Sequence, residues 1–440
     1  MNPSPKTEIT RRSFLQKSAL AGAALSALPV ERYAHAAAGG GPLKLGMVGC
    51  GGRATGAANQ ALHASENIKL VAIGELFRDK VDNAISSLKA QNGDKVDVSE
   101  GAIFLGFDAY RSVISAVDVV ILATPCIFRP QMFEEAVRQG KHVFMEKPVA
   151  VDAPGVRRVL AAAEEAKKKN LKVGVGLQRR HKPGYLEGVK RVQDGALGQI
   201  MYMRTFWDMG AARAFVPRKP EWSELELQLR NQFYFAWECG DIIVDQGLHN
   251  IDVANWMKGD YPITAKGVAG AEVRRGHVED GCLFDHYAIE FEYADGTRLF
   301  HQNRQIPGCW NYVAECAHGT LGSSEFINDR TIFNITGKNE WRYQKENPII
   351  DPYQQEHIDL LNAIVNDKPY MEAERGAKST MTAIMGRMAG YSGQLINWDD
   401  AIKSEERMAK IITSLQDEPP VKPDEKGAYP LPIPGKSKPV

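Results

Sequence analysis

The sequence predicts an α/β chain, with a doubly wound parallel sheet first and a second α/β domain built on an antiparallel sheet. Three observations carry this. Short continuous apolar runs alternate with helical stretches between residues 43 and 177, the pattern of strands buried on both faces. A glycine cluster, Gly49, Gly51 and Gly52, stands between the first run and the first helix. Beyond about residue 175 apolar residues recur at every second position, and Asp295-Gly296 supplies a hairpin turn.

In chain order, "LKLGMVG" (Leu43 to Gly49) is a buried strand and "RATGAANQALHAS" the helix after it. "IKLVAIGE" is the second strand, followed by a helix from about Phe77 to Ala90. "DVVILAT", "RPQMFEEAVRQG" and "KHVFMEK" read as strand, helix and strand. A helix from Asp152 to Asn170 and the strand "LKVGVGL" complete this half. Strand–helix–strand at this spacing demands right-handed crossovers and a parallel sheet. "IMYMRTFWDMG" and "HYAIEFEYADGTRLFHQNRQ" then alternate as antiparallel strands. If the Asp295-Gly296 loop has two residues, His301 faces Glu290 across the ladder, a charge pair rather than a metal site. Two late helices, "YQQEHIDLLNAIVND" and "AKSTMTAIMGRMAGYSGQ", precede a proline-rich tail from Glu418. Proline bars helix and central strand there, leaving a linker-like wrap or a disordered end.

The 440 residues carry 54 basic and 54 acidic side chains. Nucleic acid and anionic membrane both demand a basic face, so neither is expected as a partner. No apolar run reaches the roughly 20 residues that span a bilayer. Six cysteines form no CxxC pair and no His/Asp cluster has metal spacing, so no metal is expected. At the start, Arg11-Arg12 precede Ser13-Phe14-Leu15, an apolar stretch from Ala19 to Val30, and the small-residue end Ala34-His35-Ala36. Residues 1–38 read as a cleavable signal peptide. Its paired arginines resemble the twin-arginine export signal, whose machinery carries proteins already folded. The mature protein is therefore expected in the periplasm or otherwise exported.

"GMVGCGGRATG" has the form of a phosphate-binding turn. Gly49, Gly51 and Gly52 allow the tight turn and let the backbone, with Arg53 beside it, approach a pyrophosphate at the helix N-terminus. Ala54 stands at the third fingerprint position, an allowed variant. Glu75 ends the second strand, where a carboxylate accepts hydrogen bonds from ribose hydroxyls and repels a 2′-phosphate. That favours NAD; Arg78, three residues on, keeps NADP open.

Gly49-Cys50-Gly51, Thr124-Pro125 after "VVILAT", Glu146-Lys147-Pro148, and Asp245 through Asp252 in "DQGLHNID" together resemble the Gfo/Idh/MocA oxidoreductases. These are relatives of glucose–fructose oxidoreductase and inositol dehydrogenase, and the resemblance runs from Leu43 to about Ser404. It implies an NAD(P)-binding Rossmann domain over 42–175, with Thr124, Pro125, Glu146 and Lys147 at the cofactor. It implies a C-terminal domain over 176–415 with a large open antiparallel sheet, often used for oligomer contacts, and hence a dimer or tetramer. The tail is 416–440. A sugar-like substrate is expected in the cleft between domains.

A strand ending on Glu146-Lys147-Pro148 delivers a lysine to the crevice at the sheet's carboxyl edge. An ammonium there can hydrogen-bond a substrate hydroxyl and stabilise the alkoxide that forms as hydride leaves. Asp245, His249 and Asp252 are spaced to share one helix face. By resemblance His249 takes the hydroxyl proton, and Asp245 positions the substrate or the histidine. Gln178 and Arg180 in "GLQRRHKP" carry over as cofactor or substrate contacts; Trp207, Tyr234, Trp237 and Asp252 are further substrate candidates.

Two functions follow from these residues. One is an exported NAD(P)-dependent oxidoreductase on a sugar, cyclitol or related polyol, its cofactor held tightly and recycled. The other is a glycoside hydrolase or lyase that oxidises the sugar ring transiently. A cofactor-binding protein without catalysis fits less well with both Lys147 and His249 present.

Overall fold

The computed structural model describes residues 41–210, 214–275, 277–344 and 351–439; the signal peptide read over 1–38 lies outside them. The first half alternates β1 (Leu43–Val48), α1 (Gly52–Ala64), β2 (Ile68–Glu75), α2 (Arg78–Asn92), β3 (Ile103–Leu105), α3 (Ala109–Ala116), β4 (Val119–Leu122), α4 (Arg129–Arg138), β5 (His142–Met145), α5 (Ala153–Lys168) and β6 (Val173–Val175). All pairings here are parallel, in the order β3-β2-β1-β4-β5-β6. Val119 and Ile121 of β4 enter one apolar cluster while Val120 and Leu122 enter another. Both faces of the strand are thus buried, which is why it reads as an unbroken apolar run. The order reverses at β1 and β4, so the crevice outside their carboxyl ends lies between Gly49 and Thr124.

The second sheet takes α6 (Pro183–Gln193), β7 (Ile200–Met209), α7 (Glu224–Arg230), α8 (Leu248–Lys258), β8 (Thr264–Gly270), β9 (His286–Glu292), β10 (Arg298–Gln305), β11 (Tyr312–Gly319), β12 (Gly322–Ile327), β13 (Ile332–Gly337) and β14 (Trp341–Arg342). Then come α9 (Pro352–Val365), α10 (Ala373–Ser392) and β15 (Ile396–Asn397). Nine strands run β14-β13-β12-β11-β7-β10-β9-β8-β15, antiparallel except for β7 with β10. That parallel pair corrects the purely antiparallel reading: alternation along a strand reports which faces are buried, not the direction of its neighbour. One face of the sheet is covered by α8 and α10; the other leaves Tyr202 and Phe300 exposed.

The hairpin between β9 and β10 also departs from expectation. Arg298 pairs with Glu292, and Tyr293 N–H donates to Thr297 O, so the loop is Ala294-Asp295-Gly296, with Gly296 at φ 82°. One residue more than a two-residue turn moves every later side chain to the opposite face. Glu290 therefore meets Phe300, while His301 turns inward against Ile289, buried and bonded to Thr205 Oγ1 at 2.9 Å.

Helix α9 belongs to the first sheet in packing. Its Leu360 and Leu361 are buried in one cluster with Leu45, Ile68, Ile121 and Phe144. The tail wraps the surface: Tyr429 is buried edge-on against Phe235, and Val421 O accepts from Gln228 Nε2 at 2.7 Å. No described helix is long and apolar enough to cross a membrane.

Candidate active site

The turn after β1 depends on Gly49. Its φ is +91°, and a Cβ there would stand 2.9 Å from Ala123 O. Above Gly51 and Gly52 the space is open, with nothing within 4 Å of an added Cβ. Helix α1 starts at Gly52 and points its unpaired N–H groups at that space. A cavity of about 490 Å³ lies over the strand ends, lined by Gly49–Ala54, Glu75, Phe77, Lys80, Thr124 and Pro125, and on the far side by residues 229–234. Open space at a helix N-terminus, an acid at the end of β2 and a cleft of this size fit a dinucleotide.

Glu75 also shapes the turn. One carboxylate oxygen accepts from Cys50 N–H at 2.7 Å, the other from Leu76 N–H at 2.6 Å. Arg78 does not border the cavity: its guanidinium spans Asp82 and Glu100 on the outer surface. The first turn of α2 rotates it away, and Lys80 is the α2 cation that lines the cleft. A lysine on an exposed helix carries no sequence signature, so it was not anticipated.

At the end of β5, Glu146 is 3% exposed and pairs with Arg53 Nε at 2.8 Å. The Lys147–Pro148 peptide is cis. Arg129, unremarked in the sequence, donates to Pro148 O, to Glu146 O at 3.0 Å and to Thr124 O at 2.6 Å. It thereby fixes the ends of β4 and β5 to each other. Lys147 reaches across to the second half: its Nζ donates to Asp245 O at 2.5 Å and lies 3.5 Å from the Asp245 carboxylate.

Asp245 sits in a π-helical turn, Ile243–Gly247, immediately before α8. Gly247 lets that turn lie against the sheet, since a Cβ would meet His301 Nε2 at 2.6 Å. The wider turn breaks the shared face expected of Asp245, His249 and Asp252. Asp245 engages Lys147, not His249. His249 stacks on Trp207, with ring centroids 5.8 Å apart, and its Nδ1 has no partner. Burial, then Lys147, then Arg179 hold the imidazole well below its ordinary 6.5, so it is neutral. Behind Trp207, Arg179 lies 5.6 Å from the indole and pairs with buried Glu315.

Other expected contacts resolve differently. Arg180 and Asp252 bind each other through two hydrogen bonds of 2.8 and 2.9 Å, and Asp252 also accepts from Ser379 at 2.7 Å. Asp252 is buried and Arg180 nearly so, and each satisfies the other, because charged side chains facing one another inside a fold pair first. Trp237 is a core residue, 3% exposed, donating to Gln228 at 2.9 Å. Gln178 is buried and donates to Tyr353 OH at 3.0 Å, outside the cavity lining. Tyr234 does line the cleft.

Comparison with known proteins places this geometry. Residues 43–176 match the GFO_IDH_MocA model, described as an oxidoreductase family with an NAD-binding Rossmann fold. Over these residues the chain resembles a Gfo/Idh/MocA nucleotide-binding domain. Inositol 2-dehydrogenase of Rhizobium meliloti (strain 1021) is 23% identical over 291 residues, 66% of this chain and 77% of that one. The scyllo-inositol 2-dehydrogenase (NAD(+)) of Bacillus subtilis (strain 168) is 25% identical over 194 residues, 43% of this chain and 46% of that one. Scyllo-inositol dehydrogenase from Lactobacillus casei, solved with NAD(H) and scyllo-inositol, superposes with a TM-score of 0.61 at 20% identity, covering 81% of this chain and 99% of that one. The shared fold thus includes the second sheet. In this Rossmann-like domain NAD is the nucleotide that Gly49–Ala54, Glu75 and Lys80 would hold, with Thr124 and Pro125 beside them.

Proposed function

We propose that the protein is an NAD-dependent dehydrogenase of a sugar, cyclitol or related polyol, acting at Lys147 and His249. The observation that carries the reading is the Lys147–Asp245 bridge across the cleft beside a neutral histidine. Bound NAD would supply the hydride acceptor. His249, uncharged, takes the proton of the substrate hydroxyl. Lys147 places its ammonium on the same oxygen and stabilises the negative charge that develops there. Asp245 anchors that ammonium and holds the two halves of the site together. The enzyme class agrees with the inositol dehydrogenases that the chain resembles.

Two finer readings go with it. The first is export through the twin-arginine route, supported by Arg11-Arg12 and the sequence up to Ala36. The second is a cofactor retained and recycled rather than exchanged, because a compartment beyond the cytoplasm holds little free nicotinamide. The segment 229–234 that walls the cleft supports this: Arg230 pairs with Asp79 of α2 at 3.1 Å and covers Phe77 at 3.8 Å. Exposed Tyr202 and Phe300 on the outer face of the second sheet suit assembly of copies through that face.

A panel of sugars, cyclitols and glycosides incubated with the protein, with reduction of the nicotinamide and release of aglycone both followed, tests the function. Reduction without cleavage supports a dehydrogenase. Aglycone release with no net reduction would replace it by the redox-neutral hydrolase.

A further inference from the structure

We propose that the substrate carries a carboxylate, bound by Arg274 in a narrow slot beside the Lys147–Asp245 bridge. This rests on the dehydrogenase reading above. The slot is lined by Tyr234, Asp245, Gln246, Arg274 and Gln305, so it opens at the residue that anchors the catalytic lysine. Arg274 is 8% exposed, and its Nη1 is buried with no acceptor. Its guanidinium lies 5.4 Å from the Tyr234 ring.

The acids beside the slot, Asp285 and Asp245, are already engaged. Asp285 Oδ2 accepts the backbone N–H groups of Glu272, Val273 and Arg274, and its Oδ1 bonds His286 at 2.7 Å. Asp245 is occupied by Lys147. Among the described residues no carboxylate lies within ion-pair reach of the Arg274 guanidinium, and a buried cation without a counter-charge is costly.

The amides beside it follow from the arginine. A guanidinium only donates, so Gln305 must present its oxygen to Arg274 Nη2, at 2.7 Å. The Gln305 amide nitrogen then donates to Gln246 Oε1 at 2.6 Å. That leaves the NH₂ of Gln246 as the end of the relay, on the slot wall next to Asp245. The slot therefore offers N–H donors from Arg274 and Gln246 and one net positive charge. A hydroxyl would meet the donors but not the charge; a flat, acceptor-only carboxylate answers both. The ring that bears it would then lie with a carbinol toward Lys147.

The test uses the protein holding reduced cofactor, so that ligand binds without turnover. Glucuronate and galacturonate are titrated against glucose and galactose, and reduction of the oxidised form by the same four compounds is followed separately. At least one acid should bind about tenfold more tightly than its neutral partner, as expected for a hydrogen-bonded charge pair. Arg274→Gln should erase that ratio, and Arg274→Lys should restore part of it. Equal binding of acid and neutral partner in both pairs overturns the carboxylate slot. So does a ratio that Arg274→Gln leaves intact. If neutral sugars reduce the cofactor while no acid preference is found, only the slot falls. If neither these four nor a panel of cyclitols and polyols reduces it, the dehydrogenase reading falls too.

Discussion

Lys147 Nζ donates to the backbone carbonyl of Asp245 at 2.5 Å, joining the end of the fifth strand of one sheet to the π-helical turn that fronts the other. The contact spans 98 residues of sequence and joins the two halves of the fold. It explains why a buried strand ends in charge. The lysine is held by a carbonyl and a carboxylate of the opposing half, and His249 nearby is kept well below its ordinary value first by burial and then by that ammonium.

Lys147→Ala and His249→Ala should each keep the bound dinucleotide yet lose kcat by about 10²–10⁴-fold, the usual worth of positioned acid–base and charge-stabilising groups. Steady-state rates beside the nicotinamide content of each variant decide it. A variant turning over at nearly the normal rate would take that residue out of the mechanism.

Glu75→Ala should weaken NAD binding and narrow the preference over NADP. It removes the carboxylate at the end of the second strand and the acceptor of Cys50 N–H, which helps to hold the phosphate turn. Titration of the emptied protein with both nucleotides measures this, and an unchanged ratio would remove Glu75 from ribose recognition.

Arg230→Ala should release the dinucleotide at least about tenfold faster while leaving its chemistry in place, since retention is governed mostly by the off-rate. Arg230 is the contact that ties the wall of the cleft to Asp79 and Phe77. Nicotinamide remaining after prolonged gel filtration is the readout. Equal retention in variant and parent would show that this wall does not hold the cofactor.

The pH behaviour follows from the histidines. His249 is held well below 6.5, so it stays neutral and able to accept a proton as pH falls through 6.5, and kcat/KM should remain level there. Stability should move the other way. Burial holds His142 at about 4 and His301 and His357 at about 3. Their folded-state values lie below the unfolded 6.5, so the stabilisation is complete above 6.5 and is lost as pH falls toward 4 and 3. Thermal melts across that range should fall steadily; a kcat/KM that drops with a midpoint at 6.5 would contradict the assignment of His249.

Much of this architecture was legible because strands buried on both faces leave unbroken apolar runs, and because the turn from Gly49 to Gly52 has one structural use. Lys147 was legible for the same reason: charge at a strand's end has to face the crevice. What sequence could not reveal was pairing. Whether Arg180 and Asp252 serve a ligand or each other depends on which elements the fold brings together, and they bind each other. The π-helical turn at Asp245 and the three-residue hairpin at Gly296 each add a residue's worth of rotation or register, which reassigned His249's neighbours and turned His301 inward. Arg129, Lys80 and Arg274 had no motif around them, and Arg179 stood unmarked between Gln178 and Arg180; what the three arginines do depends on carbonyls, rings and amides distant in the chain.

Isotope transfer tests the chemistry most directly. A cyclitol or sugar that reduces the bound nucleotide is prepared with deuterium on its carbinol carbons and mixed with the protein, and the nicotinamide recovered after denaturation is analysed by mass. Hydride transfer at Lys147 and His249 predicts up to one deuterium per chain on the nicotinamide, with transfer slowed about 10²–10⁴-fold by Lys147→Ala. Nicotinamide recovered without deuterium from a mixture in which substrate has been consumed would contradict it.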